Sequence, residues 1–194
     1  MSEQNKATDA IASLCSRVSV GELIEPAPSP IQREKIFRAA LRAPDHAQLR
    51  PWRFLWVEGE TRQYVGNIIA DVEAQCYGEL SAAQRQKSAN RLMRAPLVLL
   101  VVARITAHAK VPEIEQIMST AAAVQNMLSA AHALGVGAMW RSGLVTYEPL
   151  LAKSLGLAEN ERLLCFLYLG TPSGTVKQIP ALDIDQFFSA WKPR

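Results

Sequence analysis

The chain has 194 residues, of which 49% are hydrophobic and 20% charged, a composition typical of a globular protein with a sizeable core. Its formal net charge of +3, from 21 basic and 18 acidic side chains, is too small to indicate a nucleic acid or a membrane surface as a partner. The N-terminus has no basic head followed by an apolar run, which argues against a signal peptide, and the longest strongly apolar run, Pro96–Ala103, is far shorter than the roughly 20 residues of a membrane helix.

The cysteines Cys15, Cys76 and Cys165 are widely spaced and odd in number, so they predict neither a disulfide framework nor a zinc site. Each lies on an apolar face, and we expect all three to be buried packing residues. The cytoplasm, a reducing compartment, is the simplest location for such a chain. The histidines show no metal-ligand spacing either, so we predict no metal site.

The first half of the chain predicts three helices, a strand and the start of a fourth helix. In order, these are a helix at about 8–17, a helix at 30–42, a strand at 54–58, an amphipathic helix at 64–76 and a further helix capped by 81–84. Ser29 and Gln32 form a predicted capping box, with Pro30 at the first helical position. Pro44 forces the chain out of the second helix.

The second half predicts three more strands and one long helix. Residues 96–103 are apolar throughout, which indicates a strand covered on both faces. A helix at 112–134 has a centre of small residues and is expected to be buried, and further strands are predicted at 136–140 and 163–169. The chain from about Thr171 onward lacks a period and reads as an extended arm.

We therefore predict one α+β domain over residues 1–194, with a layered sheet that carries helices on both faces. Helices dominate the pattern, and the strands are too irregularly spaced for a repeating βαβ series. Gly135 and Gly137 end a helix and begin a strand, the reverse of the order in a dinucleotide-binding fingerprint, which excludes a Rossmann interpretation. The following Trp140-Arg141-Ser142 is predicted to present an aromatic face, a guanidinium and a hydroxyl together, which suits a flat, anionic ligand.

Five short motifs occur in a fixed order along the chain. They are Arg-Val-Ser at 17–19, Ala-Pro-Asp-His at 43–46, Pro-Trp at 51–52, Gly-Val-Gly-Ala-Met-Trp-Arg-Ser at 135–142 and Leu-Tyr-Leu-Gly-Thr-Pro at 167–172. Each motif is weak alone. Together, over about 14–172, they resemble the FMN-dependent nitroreductase family, in particular its small single-domain members.

The resemblance implies an intertwined, obligate homodimer that binds two FMN molecules at its interface. Members of this family pass two electrons from NADH or NADPH to a nitroaromatic, a quinone or a similar flat acceptor by a ping-pong mechanism. The FMN carries the chemistry, so no catalytic side chain is implied. Exchange of C-terminal segments between subunits is typical of the family and fits the predicted arm.

The resemblance also places Arg17, Val18 and Ser19 at the FMN phosphate. A dianionic phosphate suits a planar guanidinium with hydroxyl or backbone donors close by. Relatives often carry a second arginine where this chain has Val18, which can contribute only backbone atoms. From the local sequence alone, the favoured interpretation of Arg17 is a basic residue stabilised by the dipole at a helix C-terminus.

Five further cofactor contacts follow from the resemblance, in two groups that each have a purely structural alternative. Arg42 and His46 are expected to reach the FMN bound mainly by the other subunit, with His46 as a hydrogen-bond donor or orienting group; the alternative is a surface or capping histidine. Trp140, Arg141 and Ser142 are expected against the flavin; the alternative is a core tryptophan beside an arginine at a strand end. Gln48 and Arg50 depart from the smaller or amide side chains of many relatives.

Two regions are weaker candidates for the nicotinamide or substrate side of the site. The first is the end of the long helix, for which core packing is an equal alternative: Ala130, Ala131, His132, Ala133, Leu134 and Gly135. The second is a basic stripe of Lys87, Arg91 and Arg94 at helical spacing, for which a solvated helix face is favoured over attraction of nicotinamide phosphates.

The sequence leaves a rival function open. A flavin-binding sensor or carrier without efficient turnover would need the same cofactor residues, and the departures at Val18 and Arg50 are compatible with it. A cofactor-free interaction module is disfavoured by the placement of the arginines. No residue is tied to a ribose site, so the choice between NADH and NADPH and the identity of the acceptor do not follow from the sequence.

Overall fold

An antiparallel sheet of five strands lies at the centre of the computed structural model, which describes residues 10–175 and 177–193. The strands are β1 (Leu23–Ile24), β2 (Trp52–Glu58), β3 (Leu97–Arg104), β4 (Gly137–Arg141) and β5 (Glu161–Pro172). β2 pairs with β3, β3 pairs with β5, and β4 also pairs with β5. The short β1 pairs with the last two residues of β5.

The described part of the chain forms six α-helices. They are α1 (Ala10–Ser16), α2 (Pro30–Ala40), α3 (Thr61–Tyr77), α4 (Ala82–Ala89), α5 (Glu113–Ala133) and α6 (Pro149–Ser154). Both predicted capping boxes are confirmed, with Ser29 and Ser81 as the N-caps of α2 and α4. The predicted start of the first helix, at residues 8–9, lies outside the described residues. None of these described helices is long and apolar enough to cross a membrane.

Alternate side chains of β3 enter two separate hydrophobic clusters on opposite faces of the sheet. Leu97, Leu99 and Val101 pack with α2 and α5, whereas the intervening Val98 and Leu100 pack with α3 and α6. Period-2 alternation of this kind is expected for a strand with both faces covered. The α+β class and the helices on both faces of the sheet are thus confirmed.

The first helix differs from its prediction. Leu14 is 53% exposed, and Cys15 is exposed as well, because the apolar stripe of α1 is not covered within one chain. Cys76, at the end of α3, is also exposed, so the expectation of three buried cysteines holds only for Cys165.

The C-terminal arm begins at Ser173, slightly later than predicted, because β5 continues to Pro172 and pairs there with β1. Beyond it, the described residues form only a short 3-10 turn at Ile184–Gln186. The arm leaves six large apolar side chains exposed by 53–84%: Ile179, Leu182, Ile184, Phe187, Phe188 and Trp191. Exposed apolar surface of this kind marks a segment that packs against another surface.

The close approach of α3 to the end of α4 gives a stability prediction. A Cβ atom on Gly66 would lie 1.9 Å from the backbone oxygen of Ala89. Gly66→Ala should therefore destabilise the fold by about 2 kcal/mol in urea unfolding, despite the better helix propensity of alanine. Gly143→Ala is the matched control, because a Cβ there meets nothing within 4 Å and its φ of −168° is open to any residue. Equal stability of the two variants would contradict the predicted contact.

Glu161, at the start of β5, is a buried carboxylate whose two oxygens both accept from one guanidinium nitrogen. Arg53 Nη1 lies 2.8 Å from both carboxylate oxygens, and the backbone N–H of Ala158 donates to Oε2 at 3.1 Å. Burial alone would raise the pKa of Glu161, but these hydrogen bonds and the charges of Arg53 and Arg104 outweigh it and lower the pKa.

A lowered pKa means that this pair stabilises the fold above the unfolded pKa of about 4.3, and that the stabilisation is lost as the pH falls through the folded pKa. Arg53→Gln should lower the free energy of unfolding at pH 7 by about 1–2 kcal/mol, since Arg53 is partly exposed and its charge is screened. The difference from the parent should shrink as the pH falls below about 4. Arg38→Gln, which removes an exposed pair with Glu34, is the control and should cost less than about 0.5 kcal/mol. A pH-independent loss in Arg53→Gln would contradict the assignment.

Candidate functional site

The segment that follows α1 lies along one end of the sheet. Ser16 Oγ is 3.0 Å from His132 Nε2, near the end of α5. The backbone N–H of Val20 donates to the oxygen of Ala138 in β4, and β1 then pairs with the end of β5. These contacts fix Arg17, Val18 and Ser19, all half-buried, next to the junction of β4 and β5.

Arg17 shows the feature expected of a group that binds an anion. Its Nη1 atom is buried and has no hydrogen-bond partner among the described residues. Leaving a charged donor desolvated and unsatisfied is costly, and native structures rarely do so without a reason. An anionic group bound at this position would satisfy the guanidinium.

A cavity of about 410 Å³ lies beside Ser19. Its walls are residues 19–22 and 172–175 together with Lys177. Lys177 and Ser19 therefore line one cavity, a proximity of an arm residue to the first motif that no sequence pattern predicts. Glu22 also lines this cavity and brings a carboxylate to it.

The side chains of Trp140 and Arg141 pack on opposite faces of β4, so they do not form one continuous surface, although both residues line the same cavity. Trp140 packs against the cluster formed with α2 and α5. The Arg141 guanidinium lies 5.6 Å from the centroid of the Tyr168 ring, and its Nη2 donates to the oxygen of Gly21 at 3.4 Å. The physical reason is the alternation of side chains along a strand. Ser142 follows the strand and is exposed.

Arg141 belongs to a second cavity, of about 690 Å³, on the other face of the sheet. The cavity is lined by Glu73, Tyr77, Arg91, Arg94, residues 139–146, Phe166 and Tyr168. The predicted basic stripe is not on one helix, because α4 ends at Ala89 and Arg91 and Arg94 lie in a separate 3-10 turn. Lys87, Arg91 and Arg94 nevertheless line one small cavity of about 260 Å³. Arg91 and Arg94 also face the larger cavity with Arg141, whereas Lys87 does not.

The Ala-Pro-Asp-His turn is held by side chains that the sequence analysis did not single out. The carboxylate of Asp45 accepts hydrogen bonds from the backbone N–H groups of Leu49 and Arg50, at 3.1 and 2.8 Å. Ser119 Oγ of α5 donates to the oxygen of Pro44 at 2.6 Å. The turn contains three non-glycine residues of positive φ, at 59°, 53° and 49°: Ala47, Gln48 and Arg50. Such backbone strain clusters at functional sites.

Arg42 and His46 do not join Arg17 or Arg141 within one chain. Arg42 is exposed, and neither residue lines the two cavities described above. The ring of His46 instead pairs with Glu115 in the first turn of α5, with Nδ1 2.7 Å from Oε2. Glu115 therefore positions His46.

The end of α5, a predicted candidate for the nicotinamide or substrate side of the site, makes mainly packing contacts. Ala131 is fully buried in the core, and Ala130 and Leu134 pack against it. Gln32 donates to the oxygen of Leu134, and His132 contacts Ser16. Ala133 and Gly135 are exposed. The stretch thus borders the Arg17 segment through His132, while its other contacts are packing contacts.

Comparisons with known proteins agree with this architecture. Residues 17–171 match the model of the Nitroreductase family. A relative from Escherichia coli (strain K12), named "Putative NAD(P)H nitroreductase YdjA", is 40% identical over 164 residues, which are 84% of this chain and 88% of the relative.

Solved structures show the same fold. A nitroreductase-like protein from Bacillus cereus has a TM-score of 0.80 at 20% identity, covering 96% of this chain and 97% of that one. A nitroreductase with bound FMN from Bacteroides fragilis NCTC 9343 has a TM-score of 0.72 at 20% identity, covering 94% and 98%. With the family model matched over most of its length, the chain belongs to the nitroreductase family.

Proposed function

We propose that this protein is an FMN-dependent oxidoreductase that takes electrons from NADH or NADPH and reduces nitroaromatic, quinone or similar flat acceptors. The observation that carries the proposal is the buried, unsatisfied Nη1 of Arg17 in the first motif. Family membership, the name of the Escherichia coli relative and the FMN bound to the Bacteroides fragilis protein support it.

The smaller cavity and the segment before it suit the phosphate of FMN. Ser19 and Lys177 line the cavity and offer a hydroxyl and a cation. Arg17, two residues before Ser19, supplies a guanidinium that lacks an acceptor. A dianion is held best by several charged and neutral donors that converge on it. Since Val18 offers only its backbone, we assign the backup charge to Lys177.

The end of β4 suits the flavin ring. Because Trp140 packs into the core, we assign the polar contacts to Arg141 and Ser142 and leave Trp140 only its backbone. Bound FMN would supply the two-electron chemistry, while the chain binds and orients it and limits access of water. A guanidinium fixed by Gly21 and Tyr168 provides a positive charge at a defined place.

We propose that the site is completed in a homodimer. Arg42 and His46 are exposed on a strained, well-anchored turn, as expected of side chains presented to a second subunit. The arm, with its exposed apolar side chains, is assigned to cover the partner. The apolar face of α1, which is exposed in a single chain, is assigned to the same contact with the partner subunit.

A flavin-binding carrier without efficient turnover is the alternative function. It is compatible with Val18, which stands where relatives often carry a second arginine. It requires the same phosphate residues, so binding does not separate the two functions. They differ in whether NADH or NADPH reduces the bound flavin.

Arg17→Ala tests the phosphate assignment. Loss of a charge-assisted hydrogen bond, worth roughly 1.5–3 kcal/mol, should weaken FMN binding by about 10- to 150-fold. Riboflavin, which lacks the phosphate, should lose much less affinity. The measurement is a titration of both flavins into flavin-free protein.

Arg38→Ala on the exposed face of α2 is the control for this test, since it removes the same charge away from both cavities. It should leave both affinities unchanged. Equal losses for FMN and riboflavin in Arg17→Ala would show that Arg17 supports the fold or the ring, and the phosphate assignment would be wrong.

Dilution tests the shared site. If Arg42 and His46 contact the flavin of the partner, dissociation of the dimer should release FMN, and flavin fluorescence should rise over the concentration range in which sedimentation shows monomers. Arg42→Ala should weaken FMN binding without changing the monomer–dimer equilibrium by more than about 1 kcal/mol. A monomer that retains FMN would contradict the proposal.

A further inference from the structure

The larger cavity contains more positive charge than its own carboxylates neutralise. Arg91 pairs with Glu73 at 2.5 Å, and the other oxygen of Glu73 accepts from Ser88, so this carboxylate is fully engaged. Arg141 contacts only a backbone oxygen and an aromatic ring. Arg94 has no ion-pair partner within residues 10–175 and 177–193. Two positive charges therefore face the cavity without a counter-charge.

Arg91, Arg94 and Arg141 all line this cavity together with Tyr168. The Tyr168 hydroxyl is buried and donates to the backbone oxygen of Arg91 at 3.3 Å, and the Arg141 guanidinium lies over the Tyr168 ring. The three arginines come from two elements, the turn at Arg91–Arg94 and the end of β4, on either side of β5. A solvated helix face would not bring cations from separate elements to one aromatic side chain.

The cavity has no wall in common with the smaller one. Residues 19–22, 172–175 and Lys177 surround the smaller cavity, and none of them lines the larger. FMN has a single phosphate, which the proposed function assigns to Arg17, Ser19 and Lys177. The arginines of the larger cavity are therefore available to a different anion.

The remaining walls indicate the shape of the ligand. Phe166 and Tyr168 are 2% and 1% exposed and close the cavity from beneath, whereas Tyr77, at the rim, is 49% exposed. Tyr77 donates to Glu148 at 2.8 Å, so its ring is held in place. A planar ligand can stack on the Tyr77 ring while its charged group meets the guanidinium groups.

We propose that this cavity binds the anionic substituent, a carboxylate or a phosphate, of a flat aromatic substrate of the flavin site, with Arg94 as the principal free cation. That the ligand is a substrate follows only if the proposed function is correct. That the cavity binds an anionic, flat ligand does not depend on the proposed function. Arg141 connects the two, since it faces the cavity and is also assigned to the flavin ring.

The test compares three ligands of one shape by equilibrium dialysis against the full-length protein as purified, without an electron donor. They are 4-nitrobenzoate, 4-nitrophenyl phosphate and the neutral 4-nitrobenzamide. The parent should bind at least one of the anions more tightly than the amide, by about 3- to 10-fold, a modest factor because Arg94 is exposed. A larger preference for 4-nitrobenzoate would indicate a carboxylated acceptor as the ligand. A larger preference for 4-nitrophenyl phosphate would indicate a phosphorylated ligand such as the electron donor.

Arg94→Gln should abolish this preference and leave binding of the amide unchanged. Lys35→Gln, an equal change of charge on the exposed side of α2, should retain it. In the parent, added salt should weaken binding of the anions but not of the amide, which tests the proposal without any variant.

Equal binding of all three ligands by the parent would overturn the proposal. So would a loss of affinity in Arg94→Gln for FMN but not for riboflavin, because the cavity would then hold the phosphate of the flavin. Neither result depends on turnover, so failure of the proposed enzyme activity remains a separate observation.

Discussion

The arrangement of the site depends on the pairing of β5 along both of its edges. β3 and β4 pair with the strand on opposite sides, and its last two residues extend beyond them to meet β1. Pairing on both sides leaves its backbone hydrogen bonds satisfied and its side chains buried on both faces. β1 is thereby fixed at the end of the sheet, and with it the preceding segment that contains Arg17 and Ser19. The same strand supplies Tyr168, beneath the Arg141 guanidinium.

The polar side chains of the candidate site face two separate cavities. Arg141 projects from β4 into the larger cavity, which Arg91 and Arg94 also line. Ser19 and Lys177 line the smaller cavity at the end of the sheet. Gly21 lies between the two cavities, since it lines the smaller cavity and its oxygen accepts from Arg141. One short segment therefore contacts both the smaller cavity and a residue of the larger one.

How much of this could be predicted depends on the range of the interactions involved. The strand at 97–104 and the capping boxes at Ser29 and Ser81 rest on local patterns, and the sequence predicts them. β1 and α6 are too short to show a hydrophobic period in the sequence. β1 forms because it pairs with β5, and α6 forms because it packs into the hydrophobic core. The pairing of His46 with Glu115 and the approach of Lys177 to Ser19 join residues distant in sequence, so only the fold reveals them. Arg17, Arg141 and Ser142 became candidates through the family resemblance, because an arginine after a helix or at a strand end has no specific local signal.

The central claim is that the chain binds FMN and that nicotinamide nucleotides reduce it. An absorbance spectrum of the purified, FMN-reconstituted protein, recorded before and after anaerobic addition of NADH and of NADPH, tests this claim most directly. The account predicts a flavin spectrum, release of FMN on denaturation, and bleaching by at least one of the two nucleotides. A flavin spectrum that neither nucleotide bleaches would contradict the enzymatic function, and a protein that remains colourless would contradict the flavin site itself.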